Sequence, residues 1–209
     1  MPDSNMTLYY HEASPFARKV RVMLHETGQA AKVRLKRVVV TPVNPSPEVC
    51  HDNPCGKIPA LRLADGNVIH DSRVILDYLD SQHPGPALIP RDGSARWRRL
   101  TLASLADALL DAAVLIRYET FLRPEDKRWD EWLDNQGEKI ARSLAYFEAE
   151  AVTELSTSFD IASISVACAL GYLDFRQPDL AWRSSYQRLA NWYYEVSRRP
   201  SMLETQPPA

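Results

Sequence analysis

Hydrophobic and polar positions change period along the chain, and the change divides it in two. Thr7-Leu-Tyr-Tyr10 is a short β-prone run. Ser14-Pro15 reads as a helix N-cap followed by proline at the first helical position, and Phe16, Val20, Met23 and Leu24 keep helical spacing as far as Gly28, a stop signal. Lys32-Val-Arg-Leu-Lys36 alternates charged and apolar residues and runs into Val38-Val-Val40. This predicts a second strand, parallel to the first if the helix is their crossover. Pro42, Pro45 and Pro47 make a proline-rich connection to Asn53-Pro-Cys-Gly-Lys-Ile-Pro59. Ala60-Leu-Arg-Leu63 and Val68-Ile-His70 flank Ala-Asp-Gly-Asn, a hairpin signal. Asp71-Ser72 caps a further helix with Val74, Ile75, Tyr78 and Leu79 on its apolar face. The predicted order is βαβ, then ββα.

Pro84-Gly-Pro86 through Pro90-Arg-Asp-Gly93 has the composition of a linker, and beyond it strand signals stop. Trp97, Leu100, Leu105, Leu109, Ala112, Ile116 and Tyr118 lie at helical intervals between Ala95 and Leu122. Trp129, Leu133, Ile140, Leu144, Phe147, Ala151 and Leu155 repeat the pattern as a second long helix. Asp160 to about Phe175 is apolar nearly all round, which predicts a central buried helix. Tyr186, Leu189, Trp192, Tyr193 and Val196 supply one more before Pro200, and only the Gln-Pro-Pro-Ala tail reads as disordered. The expected fold class is α/β plus all-α: an α/β domain over 1–83, a linker over 84–93 and an all-helical domain over 94–209.

Composition narrows the function. With 209 residues, 45% of them hydrophobic, the chain buries a core without disulfides or metals. Ten basic residues face nine acidic ones up to His83, and fifteen face eighteen after it, so neither half has the basic excess that phosphate binding demands. No nucleic-acid or membrane partner is expected. The seven glycines cannot make GxGxxG, GxSxG or GxxxxGK, which argues against Rossmann, hydrolase-elbow and phosphate-loop chemistry. Cys50, Cys55 and Cys168 are odd in number and form no CxxC, and the five histidines never fall at metal-ligand spacing. No metal site is predicted. Met1-Pro-Asp-Ser-Asn-Met6 is polar and no long apolar run follows, so a soluble, cytoplasmic protein is expected.

A βαβ-ββα unit with Ser14-Pro-Phe-Ala opening its first helix and Ile58-Pro59 opening its third strand resembles the thioredoxin fold. Where a thioredoxin carries Cys-Pro-x-Cys, Ser14-Pro15-Phe16-Ala17 has neither sulfur, which excludes dithiol exchange there. With a helical domain attached, the chain from Thr7 to Pro200 resembles the glutathione transferase superfamily, in its bacterial, theta-like, serine-using group. The motifs that carry the resemblance are Ser14-Pro-Phe-Ala-Arg-Lys-Val-Arg21, Asn53-Pro-Cys-Gly-Lys-Ile-Pro-Ala-Leu61 and Asp71-Ser72-Arg-Val-Ile, with further matches in the buried helix and in Arg199-Pro200-Ser. In that helix Asp160-x-x-Ser163 reverses the family's usual capping box: Asp remains a good acceptor and Ser163 can still hydrogen-bond back.

The resemblance implies glutathione as cosubstrate and Ser14 as the residue that stabilises its thiolate. A hydroxyl at a helix start offers a thiolate a charge-assisted hydrogen bond of about 1.5–3 kcal/mol, and the helix N-terminus adds roughly 0.3–1 kcal/mol. Lowering a thiol pKa by two units needs about 2.7 kcal/mol, so these contributions suffice. Ser14 is also a plain N-cap before Pro15, and Tyr9 or Tyr10 is an alternative hydroxyl, as in other classes of the superfamily; Cys55 reads as a bystander. Phe16, Lys57, Ile58, Pro59, Asp71 and Ser72 are the implied glutathione-binding residues. Ile58, extended because a proline follows, can pair with a cysteinyl backbone, and the resemblance implies a cis bond to Pro59. Asp71 and Ser72, besides capping, suit the ammonium and carboxylate of a γ-glutamyl group. Lys57 meets the glycyl carboxylate or stays solvated.

For the electrophile, position in the family points to Leu109, Ala113, Arg117 and Tyr118, the first two equally readable as core. Arg117 interrupts an apolar run. The resemblance further implies a homodimer, with the surface between Asn53 and Asp77 facing the partner's long helices, and conjugation of glutathione to small hydrophobic electrophiles. Glutathione-dependent peroxidase, dehalogenase or isomerase chemistry is an alternative, as is a non-catalytic binding module of the same fold.

Overall fold

Elements form where the chain supplies both a start signal and a face to bury. The computed structural model describes residues 6–208; the polar start before Met6 and the final Ala209 of the tail lie outside the described residues. β1 (Met6–Tyr10) is an inner strand of a four-stranded sheet of order β2-β1-β3-β4. It pairs in parallel with β2 (Val33–Arg37), Leu8 opposite Leu35. It pairs antiparallel with β3 (Ala60–Arg62), Leu8 opposite Leu61, and β3 pairs antiparallel with β4 (Val68–Ile69). Leu8 and Leu61 are fully buried, as alternation along an inner strand requires.

The second strand stops at Arg37 and does not include Val38–Val40. β1 ends at Tyr10, so beyond the single bond from Val38 N–H to the Tyr10 carbonyl (2.9 Å) no partner remains. Val38 and Val40 instead pack on the cluster of Tyr9, Val49 and Ala60. The proline-rich connection hides a helix, α2 (Pro47–Asp52), which starts with Ser46 as N-cap and Pro47 at the first position, the same device as Ser14-Pro15.

α1 (Pro15–Glu26) buries Ala17, Val20, Val22, Met23 and Leu24. It ends where the Thr27 hydroxyl donates to the Met23 carbonyl (2.7 Å) and Gly28 takes a positive φ of 66°, a conformation that suits glycine. α3 (Ser72–Ser81) packs on α1 through Ile75, Leu76 and Leu79. Val74 is 52% exposed and off that stripe, so the expected apolar face is rotated, with Leu76 buried where Val74 was predicted.

By its internal contacts the chain forms two units, 6–89 with 200–208, and Pro90–Arg199. The sequence pattern groups 200–208 with the helices, yet α10 (Pro200–Leu203) packs on α1. Arg18, only 4% exposed, donates to the Met202 carbonyl (3.2 Å), and Arg21 donates to the Glu204 carbonyl (3.0 Å). These carbonyls close the last turn of α10, where cationic side chains are favoured.

In the second unit α4 (Gly93–Phe121) packs along α5 (Asp130–Tyr146) and α7 (Ile161–Arg176). Residues 161–173 of α7 are all buried, as the run of apolar residues predicts. The expected single helix from Trp129 to Leu155 is broken by a π turn at Phe147–Ala151, before α6 (Val152–Leu155). The π turn's Glu148 carboxylate accepts from the Arg188 and Leu189 N–H groups (3.1 and 2.7 Å) and caps α9 (Gln187–Val196), which lacks a side-chain cap of its own. Trp97 and Trp129, predicted among the helical repeats, are 68% and 61% exposed. A short α8 (Trp182–Ser185) precedes α9.

Asp160 starts α7 by accepting from Ala162 N–H (3.0 Å) and Ser163 N–H (3.3 Å). Ser163 does not close the reversed capping box; its hydroxyl donates to the Leu155 and Ser158 carbonyls (3.1 and 2.8 Å). The second Asp160 oxygen pairs with Arg99 Nε at 2.9 Å, and Arg99 is 9% exposed. Asp160→Ala therefore removes a cap and one of the two carboxylates on Arg99, whose Nη1 keeps Glu154 at 3.5 Å. It is expected to lower unfolding free energy by about 1–3 kcal/mol in chemical denaturation, with Asp160→Asn, which keeps an acceptor, costing less.

Candidate functional site

The pairing pattern gathers three chain segments at one end of the sheet. β1 runs toward Tyr10, and Tyr9 lies opposite Ala60, so the loop after β1 and the residues before β3 share an end. β4 runs alongside β1 in direction, with Ile69 opposite Leu61, which brings His70 and Asp71 to that end too. Ser14, Ile58-Pro59 and Asp71-Ser72 are thereby brought together at this end by strand topology, and α1 and α3 both begin there.

At α1 the Ser14 oxygen accepts from Ala17 N–H (3.2 Å), and the Ser14 carbonyl accepts from Arg18 N–H (3.0 Å). Pro15 has no N–H, so Phe16 N–H is the uncommitted donor of the first turn among the described residues. The cap uses a Ser14 lone pair and leaves its O–H as a donor. Ser14 N–H is itself anchored on the His11 carbonyl (2.9 Å). The two tyrosines are engaged elsewhere. Tyr9, 3% exposed, donates to Glu48 (3.4 Å), and burial together with the Asp52 carboxylate raises its pKa. Tyr10 donates to Glu12 (3.3 Å) and is raised by burial and the Glu12 charge.

Asn53, 2% exposed, holds the next segment: its amide donates to the Lys57 carbonyl (2.8 Å) and its oxygen accepts from Cys55 N–H (3.1 Å). Gly56 turns the loop at φ 63°, and a Cβ there would meet the Cys50 sulfur at 3.1 Å. Lys57 and Cys55 are exposed, Ile58 is half-buried on the Tyr9–Val49–Ala60 cluster, and the Ile58–Pro59 bond is cis. Asp52 anchors the loop from behind, taking the Arg62 Nε at 2.9 Å with its side chain 1% exposed. Burial opposes ionisation of Asp52, but hydrogen bonds from His51, Tyr9 and Arg62 outweigh it and hold the carboxyl below its usual range. Sequence reasoning misses Asn53 as a fastener and the Asp52–Arg62 pair entirely. A turn-prone Asn-Pro was the visible signal for the first; the second joins α2 to β3, and no local pattern marks it.

At α3 Asp71 accepts from Arg73 N–H (2.9 Å) and its carbonyl accepts from Ile75 N–H (3.0 Å), while Ser72 is 2% exposed at the first helical position. The Ser72 and Val74 N–H groups remain as donors at the positive end of the helix dipole.

The helical unit sorts its predicted residues sharply. Leu109 and Ala113 are 0% exposed on α4, so both belong to the core and have no surface for a ligand. Arg117 and Tyr118 are half-buried, and burial raises the Tyr118 pKa. An open groove of about 640 Å³ beside α6 and α9, lined by Leu155, Phe159, Trp192 and Val196 among others, includes none of the predicted residues. Among the described residues no three His, Cys, Asp or Glu side chains gather as a metal ion would need, and no helix is long and apolar enough to cross a membrane.

Family models for the glutathione S-transferase N-terminal domain match residues 8–87, and for the C-terminal domain residues 130–193. The chain is 62% identical to a glutathione transferase family member from Pseudomonas fluorescens Pf-5, solved with bound glutathione, covering 98% of this chain and 100% of that one with a TM-score of 0.97. A second structure from that organism, with bound S-(propanoic acid)-glutathione, gives 62% identity, 97% and 100% coverage and a TM-score of 0.92. An uncharacterized GST-like protein of Escherichia coli, YibF, is 32% identical over 97% of this chain and 99% of its own length. The sheet with its helices and the all-helical second unit are the two parts of that fold, and the chain belongs to the glutathione S-transferase family.

Because the Asp52 carboxyl titrates below its unfolded value, its stabilisation is complete above the ordinary carboxylate pKa, about 4, and fades as pH falls through the lowered value. Asp52→Asn is expected to lose about 1–3 kcal/mol at neutral pH, and urea unfolding should show the gap from the parent protein shrinking toward pH of about 3.

Proposed function

We propose that this chain is a cytoplasmic glutathione transferase that conjugates the glutathione thiolate to small apolar electrophiles. The observation that carries the reading is the convergence of two helix N-termini and the loop that opens β3 at one end of the sheet, in a family whose 62% identical member was solved with glutathione. Phe16, Lys57, Ile58, Pro59, Asp71 and Ser72 form the glutathione site. Ile58 pairs with the cysteinyl backbone as a strand would. The Ser72 N–H and hydroxyl take the γ-glutamyl carboxylate, and Asp71, with lone pairs to spare beyond its cap, takes the ammonium.

Ser14 is the catalytic residue. Its O–H donates to the cosubstrate sulfur, and the Phe16 N–H stands beside it in the same first turn. Together with the helix dipole these donors favour thiolate over thiol by roughly 2–4 kcal/mol, enough to ionise bound glutathione near neutral pH. The thiolate attacks; the serine is not acylated or alkylated. Tyr9 and Tyr10, whose hydroxyls are bound to carboxylates, serve the fold. Arg117 and Tyr118 are the electrophile's contacts on the helical unit. The active species is a homodimer, which would cover Val74 on α3 and Trp97 on α4, large apolar side chains 52% and 68% exposed in one chain.

Ultraviolet thiolate absorbance of glutathione mixed with the protein and titrated with pH tests the activation step. A saturable signal with an apparent pKa about two units below that of free thiol is expected, and its absence at every pH would remove the reading. Ser14→Ala should lower kcat/KM by about 10- to 100-fold while glutathione still binds; full activity would return the role to another donor. Sedimentation at micromolar concentration should give twice the chain mass, and a monomer mass would refute the dimer.

A further inference from the structure

Five arginines of the helical unit are matched to carboxylates: Arg98 to Glu154, Arg99 to Asp160, Arg123 to Glu119, Arg142 to Glu138 and Arg183 to Asp174. Arg117 on α4 and Arg176 at the end of α7 have no carboxylate partner among the described residues. Each guanidinium lies over a phenyl ring instead, Arg117 on Phe121 and Arg176 on Phe175, both at 3.8 Å from the centroid. The Nε of Arg176 is buried without any acceptor.

α4 and α7 pack together, and the charge of Arg117 is felt at both Arg176 and Tyr172, which makes them near neighbours across that seam. Burial and the Arg117 charge both depress the Arg176 pKa, the signature of a cation held beside another cation. Tyr172, 5% exposed, is pushed up to about 12 by burial, and burial also raises Tyr118. Both phenols therefore stay protonated at neutral pH as donors. Tyr172 accepts from Arg176, but no carboxylate balances the two cations and Arg176 Nε keeps no acceptor, while Phe121 and Phe175 lie against the guanidinium faces.

We propose that Arg117 and Arg176 form a carboxylate-binding pair, so that the electrophile accepted by this chain is an organic acid with an apolar body. The assignment rests on the conjugation reading above and adds Arg176 and Tyr172 to its electrophile contacts. Planar guanidinium forks match a carboxylate in charge and geometry. A single negative charge suits the partly apolar surroundings better than a phosphate dianion, whose desolvation costs more.

The test is calorimetric titration with S-(propanoic acid)-glutathione, with S-propylglutathione, and with 4-chloro-3-nitrobenzoate and its methyl ester in the absence of glutathione. The native chain is expected to prefer each acid over its neutral counterpart by about tenfold or more. Arg176→Met should bring that ratio close to one, and Arg176→Lys, which keeps the charge, should restore part of it. Equal binding of the two conjugates, or a preference that survives Arg176→Met in full, would overturn the carboxylate pair and leave conjugation standing. If neither conjugate binds but the benzoate does, and loses binding in Arg176→Met, the conjugation reading falls and the pair stands. Failure of the benzoate as well overturns both.

Discussion

Everything at the candidate site depends on how β1 pairs. A strand with a parallel neighbour on one side and an antiparallel neighbour on the other brings chain reversals of different kinds to the same end of a sheet. The loop that starts α1, the residues that open β3 and the turn that starts α3 then meet without any side chain having to reach. A slip of one residue between β1 and β3 would turn Leu8 and Leu61 away from the core and pull Pro59 out of line with Ser14. Burying Leu8 and aligning the site are one event.

Capping and the proposed glutathione binding draw on the same unsatisfied helix ends. Ser14 and Asp71 each satisfy one N–H of their own helix and leave others, Phe16 in α1 and Ser72 with Val74 in α3, as donors aimed beyond the helix. Proline at the first position of α1 sharpens this by removing a competing donor. In the proposed reading a local folding device becomes a recognition device because both helices begin at the same end of the sheet, which neither sequence segment specifies by itself.

What was legible in the sequence follows from range. Ser14-Pro15, the hairpin turn around Gly66 and the apolar run of α7 are local signals, and the elements they predict are present. Ser46-Pro47 carries the same signal as Ser14-Pro15, yet three prolines in six residues masked it as a loop. Periodicity shows that Leu109 and Ala113 share a face of α4 but not that this face is sealed in the core. The Asp52–Arg62 pair, which joins α2 to β3, and the charge of Arg117 felt at Arg176 across α4 and α7 arise only once the chain is folded, whereas the Asn53 clamp is local and shows in the sequence as no more than a turn-prone Asn-Pro. Val74 was misplaced because four apolar residues close together on a short helix fit more than one phase.

The return of residues 200–205 to α1 bears on the order of folding during synthesis. The strands and helices between β1 and α3 leave the ribosome well before residues 200–205 are made, at roughly 5–20 residues per second. Until Met202 and Thr205 arrive, the buried Arg18 guanidinium has neither of the acceptors it finds in the finished chain. The N-terminal unit is therefore incomplete while the helical unit is translated, and Arg18 is fastened only after that unit has been made.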